Sequence, residues 1–487
     1  MVVNSLKFFV FFCIFLAVWF LPLGKKRTKL QNIWLLIGCY VFYGVADWRT
    51  LPLLACATLA FYGIGLWIQY EKNKDNESAA SNISIIGVVL AIGLLLYFKY
   101  LNFFADSFAQ LLSAIGLNVT WTTMHIVMPI GVSFFTFKLI SYVLEVKNEH
   151  IEPCHDIVEF ANYVAFFPTI LSGPIDRPNK FLPQLRVEHH YDAENVTRGL
   201  QQILWGIFKK MVIADNLMPV VESSWSISSM SGSTFLLAML LYPIQMYADF
   251  SGYSDMAIGV GRVMGFKVAK NFNYPFFSRN IAEFWRGWHI SLTQWLTDYV
   301  FMPLNFRFRD LGKLGMVMAI LINMILVGFW HGAYWTYGLY GLYHGLLFIP
   351  LILSGAFFSA KKMKTNKFDL PYLGDFLKMS LTYLLVSIGL IIFRAETIEG
   401  VFSYFGNVLQ PSLFSLPKFI GQDNSSFLVA VPFIIVLLVA DWRNRKKECP
   451  IYFEYSHGWK AILCYSLLVA SIFFIGAESS SFIYFKF

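Results

Sequence analysis

Met316-Val317-Met318-Ala319-Ile320-Leu321-Ile322-Asn323-Met324-Ile325-Leu326-Val327-Gly328-Phe329-Trp330-His331-Gly332 is the stretch on which the fold turns. From Met316 to Trp330 it is almost purely apolar, and then a histidine follows. In water, so much apolar surface must be hidden inside a core. In a bilayer it is at home, because a run of about 17–25 apolar residues spans the hydrocarbon as a helix. A polar intruder at the end of such a run is costly and needs a reason.

The rest of the chain repeats the pattern. Clear spanning candidates are 5–23, 31–47, 50–70, 83–104, 199–221, 374–394, 425–441 and 460–478, and less regular ones are 124–145, 157–173, 234–262, 314–330 and 334–358. Hydrophobic residues make up 57% of the 487 and charged residues 14%, with a mean hydropathy of +0.57. A soluble domain is about 25% charged. The reading is therefore an all-α polytopic membrane protein, with about a dozen spans. Polar gaps are short, and the chain reads as one integral-membrane domain, 1–487. Within it, 1–125 and 351–487 form scaffold helices and 126–350 the catalytic core.

The formal net charge of +8 does not point to nucleic acid, because the basic residues cluster in short loops beside apolar runs. That is the positive-inside pattern. It places Lys25-Lys26-Arg27-Thr28-Lys29, Lys361-Lys362-Met363-Lys364 and Arg443-Asn444-Arg445-Lys446-Lys447 on the cytoplasmic side, and both termini outside. The first segment, Ser5 to Leu23, lacks a small-x-small cleavage site and is expected to be a retained spanning helix. Threading the loops also requires that one candidate between 105 and 305 not cross fully. The suspect is 124–145, which Pro129 and Gly131 interrupt. The six cysteines show no CxxC spacing, and four sit in apolar runs. They read as small buried hydrophobes.

Polar residues concentrate in the centre. Ser172, Asp176, Arg177, Lys209, Lys210, Asp215, Asp249, Ser254, Asp255, Glu283, Arg286, His289, His331 and His344 interrupt otherwise apolar sequence. Ionisable groups within membrane segments are functional candidates by default. Segment 281–300 is amphipathic, with Trp285, Trp288, Leu292, Trp295, Leu296 and Tyr299 on one helical face. It is too polar to span. It suits a helix lying at the interface with its tryptophans at headgroup level, or the wall of a cavity.

Two histidines carry the chemistry. His331 follows Trp330, and His289 ends Trp285-Arg286-Gly287-Trp288-His289. An ordinary imidazole titrates near pH 6.5 and can take a proton from a hydroxyl. For His289 a structural hydrogen bond is an equal alternative. His344, flanked by Gly341 and Gly345, reads as helix packing. Asp249 and Asp255 are placed to orient a histidine or to pair with Arg262, Arg279 or Arg286, and both readings stand. The basic residues Arg262, Lys267, Lys270, Arg279, Arg286, Arg307 and Arg309 suit an anionic donor with several phosphates, though the positive-inside bias explains many of them. No HExxH, GxSxG or complete GxGxxG motif is present, so no metal, serine nucleophile elbow or nucleotide loop is indicated.

These residues bring the chain to a family. Ser172-Gly173-Pro174-Ile175, the stretch Asp249 to Gly259, Asn271-Phe272-Asn273-Tyr274-Pro275-Phe276, Phe284-Trp285-Arg286-Gly287-Trp288-His289-Ile290-Ser291-Leu292 and Phe329-Trp330-His331-Gly332 resemble the membrane-bound O-acyltransferase family. The ending, Phe482 to Phe487, resembles its alginate O-acetylation branch. The resemblance implies helices ringed around a thinned funnel, with interfacial and re-entrant pieces. It implies His331 as the essential histidine and His289 beside the same tunnel, with Trp285, Arg286, Asp249, Ser254, Asp255 and Trp330 lining the substrate path. It further implies acetyl-coenzyme A as donor substrate, no bound cofactor, a polysaccharide acceptor and a setting among membrane lipids in the bacterial cytoplasmic membrane. An extracytoplasmic partner of the SGNH, serine-hydrolase-like acetyltransferase kind would complete the transfer. A carrier-fed D-alanyl transferase of the same family, a transporter and a non-catalytic scaffold are the competing classes.

Overall fold

The computed structural model describes residues 5–21, 27–117, 128–226, 230–358, 363–417, 424–447, 458–477 and 482. Most of the ending that resembles the alginate branch, 483–487, lies outside the described residues. The described chain is helical. Its first helices are α1 Leu6–Trp19, α2 Arg27–Asp47, α3 Leu51–Lys72, α4 Glu77–Leu95, α5 Leu101–Ala114, α6 Val132–Lys147, α7 Ile157–Ala165, α8 Pro178–Phe181, α9 Ala193–Phe208 and α10 Asp215–Ser226. The centre carries α11 Gly232–Val263, α12 Ile281–Gly287, α13 Ile290–Leu296, α14 Met302–Arg307, α15 Gly312–His331 and α16 Trp335–Leu353. The last are α17 Leu373–Arg394, α18 Ile398–Val408, α19 Asn424–Asn444 and α20 Trp459–Ile475. Among the described residues no strand forms, and an isolated bridge joins Thr365 to Pro371.

Among the described residues, six helices are long and apolar enough to cross a membrane: 51–72, 77–114, 309–331, 335–353, 373–394 and 427–444. Leu6–Trp19 and Trp459–Ile475 are apolar but shorter. Several runs that read as spans are broken. The apolar stretch 199–221 divides into the end of α9, a π-helical turn Lys209–Ala214 and the start of α10. Segment 157–173 forms only the nine residues of α7 before the chain turns. In contrast, 83–104 is the middle of a helix of 38 residues, 77–114, which is about 57 Å long at 1.5 Å per residue.

The chain packs as two compact units. One comprises Met1–Ile203 and Met256–Ala269 and the other Leu204–Asp255 and Lys270–Phe487. The first has a phenylalanine core, in which Phe8, Phe11, Phe12, Phe15 and Phe42 gather around Phe167. Its buried Gln31 and Asn32 donate to backbone carbonyls of His189 (2.8 Å) and Leu185 (2.7 Å). These bonds tie α2 to the chain that follows α8. Gly131, with φ at +74°, starts α6 in the left-handed region, and a side chain there would strike the Ile170 carbonyl. This accounts for the helix beginning at Val132; residues 124–127 of the suspected broken segment lie outside the described residues. The Ser172-Gly173-Pro174-Ile175 turn leads to Asp176, whose Oδ1 accepts from the Ala269 amide at 2.9 Å.

The second unit holds His289, His331 and His344. α15 and α16 lie against each other as an antiparallel pair. The approach requires glycine. A Cβ on Gly341 would come within 2.7 Å of Ile325 Cα and collide with the Met324 carbonyl, and one on Gly328 would collide with the Tyr337 carbonyl.

Candidate active site

His331 is the last residue of α15 and is 6% exposed. The chain turns at Gly332, where a Cβ would overlap the Tyr337 ring. The imidazole therefore sits where one spanning helix ends and the next begins. The Phe393 ring stands edge-on to it at 4.9 Å and 83°, with the Tyr340 ring at 6.5 Å and Trp330 at 4.8 Å.

His289 reaches the same indole from another element. The expected continuous helix over 281–300 does not form. α12 stops at Gly287, α13 starts at Ile290, and Thr297–Phe301 is a π-helical turn. His289 occupies the break with φ 46° and ψ 51°, in the left-handed region that a non-glycine residue rarely adopts. Such a conformation persists only where its surroundings enforce it. Here the Ile290 amide donates to the Asn271 carbonyl (2.8 Å), the Asn273 amide to the Gly287 carbonyl (2.9 Å), and Ser291 Oγ to Asn271 Oδ1 (2.6 Å). Gly287 is required, since a Cβ there would lie 2.8 Å from the Asn273 carbonyl. The break aims the imidazole between Phe250 at 4.7 Å and Trp330 at 5.6 Å. Trp330 thus touches both histidines.

Trp285, Trp288 and Trp295 are all buried, because the face they share packs onto protein. The segment serves as a wall. Trp285 Nε1 donates to His344 Nδ1 at 3.3 Å, and His344 is fully buried against Tyr340. Arg286 is exposed, and its guanidinium donates to the Phe357 carbonyl at 2.8 Å.

Asp249 and Asp255 differ from the expectation that they pair with arginines. Lys210 Nζ lies 2.8 Å from both Asp249 and Asp215, and Lys209 Nζ lies 2.5 Å from Asp255 and 2.8 Å from Ser251 Oγ. The π-helical turn that begins at Lys209 presents both lysines to α11. Gly252 permits the approach, as a Cβ there would lie 2.8 Å from the Gly206 carbonyl. Ser254 is joined to the histidine break, because Asn271 Nδ2 donates to its Oγ at 3.3 Å. Of the other basic residues, Arg262 reaches Asn195, Lys270 reaches Asn273 and Arg279 clasps Glu283 at 2.7 Å.

The structure therefore brings His289, Trp330 and His331 together, connects Ser254 to them through Asn271, and sets Asp249 and Asp255 in a lysine cluster. Sequence reading did not single out Asn271, Ser291, Tyr340 or Phe393 for the site. Asn271 and Ser291 lie inside quoted motifs, and two buried polar residues beside a histidine were the available signal. Phe393 lies in 351–487, read as scaffold, and nothing in its own apolar run marks it.

Comparison with known proteins identifies the family. A sequence model of the membrane-bound O-acyltransferase family matches residues 37–388. A probable alginate O-acetylase of Pseudomonas putida is 32% identical, over 99% of this chain and 99% of its own length. Its counterpart in Pseudomonas aeruginosa is 36% identical, over 81% of this chain and 72% of its own. A peptidoglycan O-acetyltransferase of Helicobacter pylori is 28% identical, over 97% and 94%. With its spanning helices and a family match over most of its length, this chain is a multi-pass membrane enzyme, an O-acyltransferase belonging to the membrane-bound O-acyltransferase family.

Proposed function

We propose that this enzyme takes an acetyl group from acetyl-coenzyme A and delivers it towards a hydroxyl of an extracytoplasmic polysaccharide, with His331 as the general base. The observation that carries the reading is the meeting of His289 and His331 on Trp330 at the end of a spanning helix. The relatives named for O-acetylation of alginate and peptidoglycan support the acetyl group and the glycan class. In the proposed step, His331 accepts the hydroxyl proton and the oxygen attacks the thioester carbonyl. The C–S bond breaks as the C–O bond forms, and the imidazolium returns its proton to the coenzyme A thiolate. Trp330 fixes the relative placement of the two imidazoles. The donor enters from the cytoplasm, and the enzyme works in the bacterial cytoplasmic membrane. The family site needs no bound cofactor for this chemistry.

The acceptor is positioned by a second protein. The stretch between the candidate spans 374–394 and 425–441, roughly Ala395 to Ser426, is shorter than the ~40 residues below which a domain needs extra support. An extracytoplasmic acetyltransferase of the serine-hydrolase kind, docked on the outer face, fits that need. The test is reconstitution in vesicles with labelled acetyl-coenzyme A, with and without such a partner, alongside His331→Ala. Label should pass to the glycan only with both proteins present and His331 intact. Glycan labelling by the His331→Ala protein refutes the catalytic assignment, and labelling without a partner refutes the two-protein model.

A further inference from the structure

A cavity of about 310 Å³ lies beside the site, between α13 with the π-helical turn after it and α15. Its walls are largely apolar, formed by Ile290, Phe301, Ile320, Met324, Val327 and Phe348, with Thr293, Gln294 and Thr297 as polar members on the α13 side. Two features of the lining are not explained by packing. Asn323 is 7% exposed, and among the described residues its Oδ1 has no hydrogen-bond partner. A buried amide oxygen left unpaired costs about 1–3 kcal/mol. Arg286 stands at the mouth, bonded to the Phe357 carbonyl, and among the described residues no carboxylate pairs with it. A guanidinium carries five N–H donors.

We propose that this cavity binds one ester-linked acyl chain of an anionic phospholipid. The phosphate meets Arg286, the ester carbonyl meets the Asn323 amide, and the chain runs against Ile320, Met324, Val327 and Phe348. An asparagine amide can turn to present its N–H₂ to a carbonyl, so Asn323 suits an ester placed below a headgroup. The volume holds roughly ten water-sized groups at about 30 Å³ each, which accommodates part of one chain rather than two. α15 and α16 are spanning candidates, so the walls lie at bilayer depth, where acyl chains are abundant. The basic run Lys361-Lys362-Met363-Lys364 follows Phe357 in sequence and draws anionic headgroups to that end of the helices. A polyphosphate nucleotide fits less well, because the lining offers it a single cation.

The proposal does not depend on the identity of the acyl donor. Its test uses the full chain in phosphatidylethanolamine vesicles containing phosphatidylglycerol with a diazirine in its acyl chain. After irradiation, the labelled residues are mapped by mass spectrometry. Label should concentrate on cavity residues of Ile290–Phe301 and Ile320–Val327, above the level at the outward-facing Ile322 and Leu326. Val327→Phe and Thr297→Phe, which fill the cavity from opposite walls, should lower cavity label several-fold and leave Ile322 and Leu326 unchanged, showing that the fold persists. Arg286→Gln should lower labelling by phosphatidylglycerol but not by the matching phosphatidylcholine probe. Equal label on cavity and outward residues overturns the proposal. So does displacement of cavity label by desulfo-coenzyme A, which would assign the space to the donor. His331→Ala should label like the unaltered protein, so this proposal and the catalytic one fail separately.

Discussion

Two regions of the second unit solve the problem of polar groups among spanning helices in opposite ways. Around Lys209 and Lys210 the groups are charged and answer one another, two ammonium groups against Asp215, Asp249 and Asp255. Around Trp330 the groups are two imidazoles set among aromatic rings, with Phe250 against one and Phe393 against the other. Charges satisfied by each other hold helices in place and have little capacity left for a substrate. A titratable ring held among aromatics can be neutral at rest and gain a proton during a reaction. The first region therefore reads as architecture and the second as chemistry.

Substitutions should separate the two. His331→Ala should cost about 10²–10⁴ in transfer rate while the melting temperature in detergent stays close to that of the unaltered protein. Lys210→Met should do the reverse. It leaves Asp215 and Asp249 buried without their counter-charge, at a cost of about 3–5 kcal/mol, read as lost yield of folded protein and a lowered melting temperature. A Lys210→Met protein that melts normally but transfers nothing would break the comparison and move the lysine cluster into the chemistry. Gly341→Ala should come next, at about 1–3 kcal/mol, because the added Cβ collides with the Met324 carbonyl. Melting curves check it, and an unshifted curve would mean that α15 and α16 have slack.

Much of this was legible in the sequence, but unevenly. Apolar runs announce helices and a bilayer because length and composition alone decide whether a segment can span. His331 stood out because its run is otherwise apolar. Pairing partners did not stand out. Asp249 lies 39 residues from Lys210, and nothing local to either says that a π-helical turn at Lys209 will face α11. The break at His289 was invisible for a related reason. The helical periodicity of 281–300 is genuine, and the tryptophan face is buried as one surface. Yet tertiary bonds from Asn271 to Ile290 and Ser291 override local propensity and stop the helix. Phe393 could be found only by folding α17 against α16.

That break yields a further contrast. His289 pays for its position with a left-handed backbone, whereas His331 ends an ordinary helix. Strain of this kind is worth about 1–3 kcal/mol. In His289→Gly the relieved strain offsets the loss of a buried ring, so it should melt close to the temperature of the unaltered protein, as should His289→Asn, since asparagine tolerates the left-handed region. If the imidazole serves the reaction, both variants lose transfer rate without losing stability. Full activity in both would reduce His289 to a packing group and leave His331 alone at the site.

The smallest effect is expected at the surface, where an ion pair resembles the Lys210 cluster in kind and differs in setting. Asp369 lies in the turn bridged by Thr365 and Pro371, and Arg445 at the end of α19 donates to its Oδ1 at 2.5 Å. The Trp442 indole donates to the Asp369 carbonyl at 2.9 Å, and the Arg445 guanidinium stacks on Trp442 at 4.0 Å. The hydrogen bonds from Arg445 and Thr365 hold the Asp369 carboxyl down at about 2, against an ordinary value of 3.8. A carboxyl depressed by folding stabilises the folded state above its ordinary value, and that contribution is lost as pH falls through about 2. Hydrogen exchange of the amides of Asn366, Asp369 and Leu370 should therefore be slowest, after correction for intrinsic rates, above pH 4 and accelerate towards pH 2. Asp369→Asn keeps the left-handed turn at φ 59° and should flatten that dependence, with transfer activity unchanged. Because the pair is exposed, added salt should also weaken it, whereas salt should leave the melting temperature set by Lys210 nearly untouched. A turn whose exchange ignores both pH and salt would show that the Trp442 bond, and not the charge, holds it to α19.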